Sequence, residues 1–336
     1  MKTSLVFQFI LILSICWSCS QNSNTEKYQS KRNNITDVRD QVKEIQMEDV
    51  LIGSVARLFI DKEYLLIVDC KSQDKLIHIF DKNNFNYLAS TAPKGSGPGE
   101  IANMGHIAVN ESERVFYVSD HGNQKIFSYN FDSVLANPLY KPDTKYKMNK
   151  GQFPSNYHYI NDTLSIGLVI DPTGNSGFNQ SLASWNLRTG VFNVMKYKHP
   201  KIEKKRVTFA VSTEHNMYVE CYIYHDLITI CNLDGTLKYN VYGKDWDSRI
   251  TNRIHYFGNV FFCGDKIIAS FSGGDNFTNE YSPTKFIVFD LKGKYIKTLE
   301  TGYRITDSCY DKENNRIIMN LNEMIQFAYL SLDKLI

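Results

Sequence analysis

Catalytic signatures are missing from this sequence. It contains no G-x-S-x-G elbow, no H-E-x-x-H pair and no Walker A loop, the arrangements that would announce a serine hydrolase, a zinc protease or a nucleotide cradle. Gly95 to Glu100 is glycine-rich but lacks the Lys-Ser/Thr ending that a phosphate site needs. Among the five cysteines beyond Cys19, which are Cys70, Cys221, Cys231, Cys263 and Cys309, none forms a C-x-x-C pair. Neither a zinc site nor a redox motif is indicated, and an odd number argues against a full disulfide framework. Charge excess is missing too. The 38 basic side chains stand against 36 acidic ones, a formal net charge of +2, which gives no electrostatic case for nucleic acid. No stretch holds a long 3.6-residue apolar period, so no long amphipathic helix is expected.

What is present begins at the N-terminus. Lys2 precedes an apolar run from Leu5 to Trp17, too short for a membrane-spanning helix of about 20 residues but suited to an export signal. The run ends at Ser18-Cys19. A small residue before a cysteine at this point resembles a bacterial lipobox, although Cys16 and Trp17 stand where Leu and a small residue are usual. Two readings follow: Cys19 as the acylated first residue of the mature chain, or an ordinary cleaved signal with Cys19 incidental. The division expected is a signal at 1–18, a lipidated flexible tether at 19–36 and a folded domain at 37–336. Residues 20–36 carry almost nothing apolar, and such a composition cannot bury a core.

The domain is repetitive. Six short apolar runs close on a polar residue at 81, 130, 186, 232, 290 and 331, on average 50 residues apart. Six polar turns sit between apolar runs in step with them, at 61–63, 110–113, 161–162, 213–216, 264–265 and 311–315. Asp, Asn and Gly suit such turns because they tolerate unusual backbone angles or bond their own backbone. The flanking runs are short and rich in Ile, Val, Tyr and Phe, as strands are. Six units with room for four strands each predict an all-β, six-bladed β-propeller with four-stranded antiparallel blades. The last unit stops after its third strand. Residues 41–50, with apolar points at Val42, Ile45, Met47 and Val50, are expected to close the ring from the N-terminal side.

Val118-Ser119-Asp120-His121-Gly122-Asn123-Gln124-Lys125-Ile126 resembles an NHL-type repeat, and Lys94-Gly95-Ser96-Gly97-Pro98-Gly99-Glu100 resembles a segment of TolB-like six-bladed propeller lipoproteins of Gram-negative bacteria. The resemblance implies the propeller fold and an exported, lipid-anchored protein of the cell envelope, at the outer membrane. It implies no particular activity.

Aligning the strand before each polar turn, the innermost of its blade, puts Arg57, His106, His158, Thr208, His255 and Arg304 at one position, with spacings of 49, 52, 50, 47 and 49. Such a ring at one mouth of the channel predicts attraction for an anionic or polar ligand. The mouth is expected on the face where the blade-to-blade loops gather. The alternatives are three imidazoles on a metal, ranked lower because the histidines are not on contiguous blades, and polar heads that satisfy backbone groups and channel water. Two long loops, Asp171 to Gly177 and Ser272 to Glu280, are placed on the same face, with Phe178, Phe277 and Tyr281 nearby. Glu220, beside Tyr218 and Tyr222, is an isolated carboxylate; a glycosidase needs a second.

The expected function is an envelope-anchored binding or scaffolding propeller. The partners considered are a small polar ligand, a glycan or an envelope protein, with the membrane reached through the lipid alone. The alternative is a hydrolase or lyase working at the channel mouth. No cofactor is indicated.

Overall fold

The computed structural model describes residues 24–148, 153–174, 177–249 and 252–336. The apolar leader and Cys19 lie outside the described residues. Each of the six polar turns joins the first and second strands of one blade, and each of the six polar closing residues ends a third strand. Blade one is Ala56–Ile60, Tyr64–Asp69, Lys75–Asp81 and Tyr87–Pro93; blade two is Met104–Asn110, Val115–Asp120, Lys125–Asn130 and Asp143–Lys147. Blade three is Phe153–Asn161, Leu164–Gly174, Gly177–Asn186 and Val191–Val194. Blade four is Val207–Ser212, Met217–Tyr222, Leu227–Asn232 and Leu237–Tyr242. Blade five is Ile254–Cys263, Lys266–Asp275, Lys285–Asp290 and Tyr295–Glu300. Blade six supplies Ile305–Asp311, Arg316–Leu321 and Phe327–Ser331. Within each blade consecutive strands pair antiparallel. One short helix, Phe131–Ala136, interrupts the chain before the last strand of blade two, capped by the Asn130 side chain.

The interior follows from the alternation of side chains along each strand, which gives every sheet two apolar faces to cover. Six hydrophobic clusters result, each built across the interface between neighbouring blades. Cys221, Cys231 and Cys263 are free and buried within them, small apolar side chains rather than reactive thiols. The aspartates of the NHL-like wording have a visible task. The Asp120 carboxylate accepts the N–H groups of Ala102, Asn103 and Gly122, and Asp69 accepts those of Gly53, Lys71 and Ser72. Each thereby pins the chain that enters its blade to the loop that leaves its second strand. Gly99, in the glycine-rich segment between blades one and two, has φ +82°, a backbone angle that glycine adopts without the steric cost of a Cβ.

The ring closes as expected. The strand β3, Lys43–Glu44, pairs antiparallel with Phe327–Ser331, and the Ile45 N–H donates to the Phe327 carbonyl at 2.8 Å. A buried ionic group locks the same seam. Lys82 of blade one lies 3.1 Å from Asp311 of blade six, and Arg316 lies 3.0 Å from the same carboxylate.

The stretch read as a flexible tether is different in the structure. Strand β1, Glu26–Tyr28, adds parallel to the outer strand of blade four, and strand β2, Ile35–Asp37, adds parallel to the outer strand of blade five. Polar composition misleads here because an edge strand is held by backbone bonds, which need no apolar face. Between them Arg32 inserts its guanidinium 2.8 Å from the buried Asp226 carboxylate. Residues 24–45 thus form one strap across blades four, five and six.

Candidate functional site

The first strands of blades two and three, four and five, five and six, and six and one contact each other around a central axis. They enclose a channel of ≈ 800 Å³. Its floor is made by His106, Tyr157 and His158, and its rim by residues of the strand-one to strand-two hairpins, among them Lys62, Glu111, Glu214 and Lys312. It therefore opens on the hairpin-turn face, opposite the face expected from the sequence.

The six aligned residues do not form a single ring. His106 and His158 line the channel. Arg57 stands beside them, its guanidinium donating to the Gly105 carbonyl of the next blade, while its Nε is buried without a hydrogen-bond partner. Thr208 donates through its hydroxyl to the Gly258 carbonyl, tying blade four to blade five. His255 and Arg304 sit at the other end, on the loop face. His255 pairs with Gly274 near the tip of the extended blade-five hairpin, and its ring lies 6.5 Å from that of Tyr281. Arg304 precedes its strand and is ion-paired to Glu323 at 2.8 Å. Irregular registers at 104–107, 255–260 and 305–307 displace residues that equal spacing would align.

Electrostatics weakens the expected anion attraction and leaves Arg57 as the cation beside the channel. Burial, and next the charge of Arg57, pushes the His106 imidazole down to about 3. Burial also lowers His158 and His255 below the ordinary histidine value. All three are neutral near pH 7, and Glu323 compensates Arg304. No group of three or more His, Cys, Asp or Glu side chains among the described residues is arranged to hold a metal ion.

Asp307 was not singled out from the sequence. It is an acid inside the first strand of blade six, in an element otherwise built from Ile, Thr, Ser, Cys and Tyr before its closing Asp311, and that isolation is the signal that could have found it. Its carboxylate accepts the Leu58 N–H of blade one at 2.6 Å and the Asn259 amide of blade five at 2.7 Å. Burial raises it to about 6 against these hydrogen bonds and the nearby Arg57 charge.

A pH dependence follows. The carboxyl is raised from 3.8 to about 6, so between those values the native state holds a proton that the unfolded chain has released. Stability therefore falls as pH rises through this window, by about 3 kcal/mol in all, and the cost is fully present above it. Asp307→Asn, with the Asn259 amide turned to accept, removes the titration. Urea unfolding near the two ends of the window should show a smaller loss for the variant than for the parent. Parallel losses would assign the pH dependence elsewhere.

The other singled-out residues are placed as follows. Glu220 is buried and ion-paired to Lys205 at 2.5 Å, outside the channel. The two long loops are extended hairpins of blades three and five on the loop face, with residues 175 and 176 outside the described residues. Phe178 lies under the Arg206 guanidinium at 4.0 Å, and Phe277 is 82% exposed.

Comparison with known proteins agrees with this architecture. None of the curated proteins compared matches the chain. Among solved structures it is similar to a member of the DUF4221 family from Bacteroides vulgatus, at 12% identity and a TM-score of 0.58, covering 87% of this chain and 98% of that one. It is similar to a putative exported protein from Bacteroides fragilis, at 11% identity and a TM-score of 0.53, covering 88% and 87%. A luciferin-regenerating enzyme superposes at 10% identity and a TM-score of 0.56, covering 87% and 95%. Such likeness shows the fold alone. Residues 24–167 match the model of the DUF5128 family, a 6-bladed beta-propeller, and the chain is an all-β, six-bladed propeller with four-stranded antiparallel blades.

Proposed function

We propose that this protein is an envelope-anchored binding propeller that holds an uncharged polar ligand, a glycan, in its central channel. The observation that carries the reading is the channel wall. It offers neutral imidazoles at His106 and His158, tyrosine rings at Tyr159 and Tyr310, and hydroxyl groups at Ser112 and Thr213, around ≈ 800 Å³. That is a pocket of the usual ligand size, rich in donors and acceptors. The rim charges favour no anion, because Lys62 and Lys312 lie near Glu111 and Glu214, at 3.4 Å and 3.8 Å.

The anchor belongs to the same reading. The apolar leader and Cys19 support lipidation, and several acyl chains would attach the protein firmly. Strand β1 approaches from the hairpin-turn side, the Asn240 N–H donating to the Thr25 carbonyl. An acylated Cys19 would be joined to Thr25 by a stretch of about 20 Å at full extension. The channel mouth would then face the membrane, where envelope glycans are attached.

Screening the mature chain against neutral oligosaccharides tests the function. Saturable binding is expected to change little between about 0.05 M and about 0.5 M salt. His158→Trp, which fills the channel from a strand position on its wall, should weaken it by about tenfold or more. Binding confined to anionic ligands and lost with salt, or binding untouched by His158→Trp, would defeat the proposal.

A further inference from the structure

A second cavity, of ≈ 450 Å³, lies away from the channel, between blades three and four. The link from the last strand of blade three to the first of blade four does not cross directly. Residues 196–206, Lys-Tyr-Lys-His-Pro-Lys-Ile-Glu-Lys-Lys-Arg, hold six cations and one acid and arch along the blade to form the wall of a trough. Its floor is apolar, made of Val169, Leu182, Phe192, Met195 and Ile202.

The arch is fixed in place. The Tyr197 N–H donates to the Gly235 carbonyl at 3.0 Å. His199 accepts the Lys201 N–H on Nδ1 at 3.2 Å, so its Nε2 carries the proton and donates to the Tyr242 hydroxyl at 3.0 Å. Tyr242 in turn donates to Glu26 of the strap at 2.5 Å. The trough is thus formed before any ligand arrives, which lowers the ordering cost of binding.

Three of the six cations of the arch are already committed. Lys196 pairs with Asp234 at 3.2 Å and Lys205 with Glu220 at 2.5 Å. Arg206 donates to the carbonyls of Lys205 and Phe178. Lys198 and Lys204 line the trough, and no ion pair to either is seen among the described residues. The lining acids are Asp171 and Glu203, so the four lining cations outnumber them. Tyr222 also lines the cavity, and its hydroxyl is buried without a well-formed hydrogen bond. An apolar floor under an unpaired basic rim, with one spare buried hydroxyl, is complementary to a single hydrocarbon chain that ends in an anion.

We propose that the trough between blades three and four is a second binding site, for a single-chain anionic amphiphile of the fatty-acid type. The site is independent of the channel and of the ligand proposed there.

Titration calorimetry of the mature chain with sodium decanoate, below micelle formation, tests it. One site is expected, with acetate and decan-1-ol each bound about tenfold more weakly or worse, because each lacks half of the complementarity. The double variant Lys198→Glu/Lys204→Glu should weaken decanoate about tenfold with an unchanged melting temperature, since both side chains stand on the rim. Ser181→Phe, which fills the trough without changing charge, should weaken it similarly. His158→Trp in the channel should leave it intact. Absence of decanoate binding, or equal affinity in the two trough variants and the parent, overturns the proposal. So does binding seen only to phosphatidylglycerol vesicles, which would reduce the arch to a basic surface.

Discussion

A chain shortened to begin at Met47 is expected to lose its cooperative fold. The closing strand β3 has only two residues, and its backbone bonds alone would be worth little. The segment before it contributes more. Val38 and Ile45 are 0% and 5% exposed, and burying each is worth about 1.5–3 kcal/mol. Val42 packs with Val38 in the cluster of blades five and six, while Ile45 belongs to that of blades six and one. The Val38 N–H donates to the Glu300 carbonyl at 2.9 Å, and the strap's backbone bonds add about 0.5–1.5 kcal/mol each. Loss of Arg32 strands a buried carboxylate, at about 3–5 kcal/mol. Together these terms match the about 5–15 kcal/mol by which whole domains are stable. Removing the strap also bares the edge of blade six, and a propeller with an open seam has an unpaired edge to aggregate through. Scanning calorimetry should show one sharp transition for the intact chain and none, or a broad one at much lower temperature, for the shortened chain. An unchanged midpoint would mean that β3 only decorates blade six.

The strap shows where sequence reading reaches and where it stops. Turn chemistry is periodic, and Asp61, Asn110, Asn161, Thr213, Gly264 and Asp311 all fall at the first hairpin of a blade. Third-strand ends were legible for the same reason, since a strand buried on both faces must stop at a polar residue. Ile45 stood out because an apolar point in a polar stretch needs a destination. By contrast β1 and β2 offer the sheet only their backbones, and no side-chain pattern marks them. The same limit explains the broken ring. Arg57, His106 and His158 stand three or four residues before their turns and gather, whereas His255 stands nine residues before Gly264, with two register irregularities between, and falls at the far end. Constant spacing cannot register an inserted residue. Imidazole charge was equally invisible, because it depends on burial and on Arg57 across a blade boundary.

Arg32→Ala is expected to destabilise the protein by about 3–5 kcal/mol, among the largest effects of any single side chain. Arg32 and Asp226 have side-chain exposures of 10% and 0% and lie 2.8 Å apart. The guanidinium also lies 5.3 Å from the centre of the Phe271 ring. No rearrangement on the Asp226 side is at hand: a Cβ at Gly243 would stand 1.9 Å from the carboxylate, so the chain there is already closed around it. Burial holds Asp226 above the ordinary carboxylate value even with Arg32 in place. Without Arg32 it must be held higher still. An acid raised in the native state favours folding when protonated, so the deficit of Arg32→Ala should shrink as pH falls and grow as it rises. That direction separates loss of the charge from loss of packing, which would be independent of pH. The double variant Arg32→Met/Asp226→Leu removes both charges and keeps bulk in the site; it should cost less than Arg32→Ala alone, because a pair replaced by apolar groups leaves no buried charge behind. Chemical denaturation of the three chains at two pH values checks both statements. A deficit in Arg32→Ala that does not vary with pH, together with a double variant no more stable than the single, would show that Arg32 contributes by filling space between blades four and five and that its charge is dispensable.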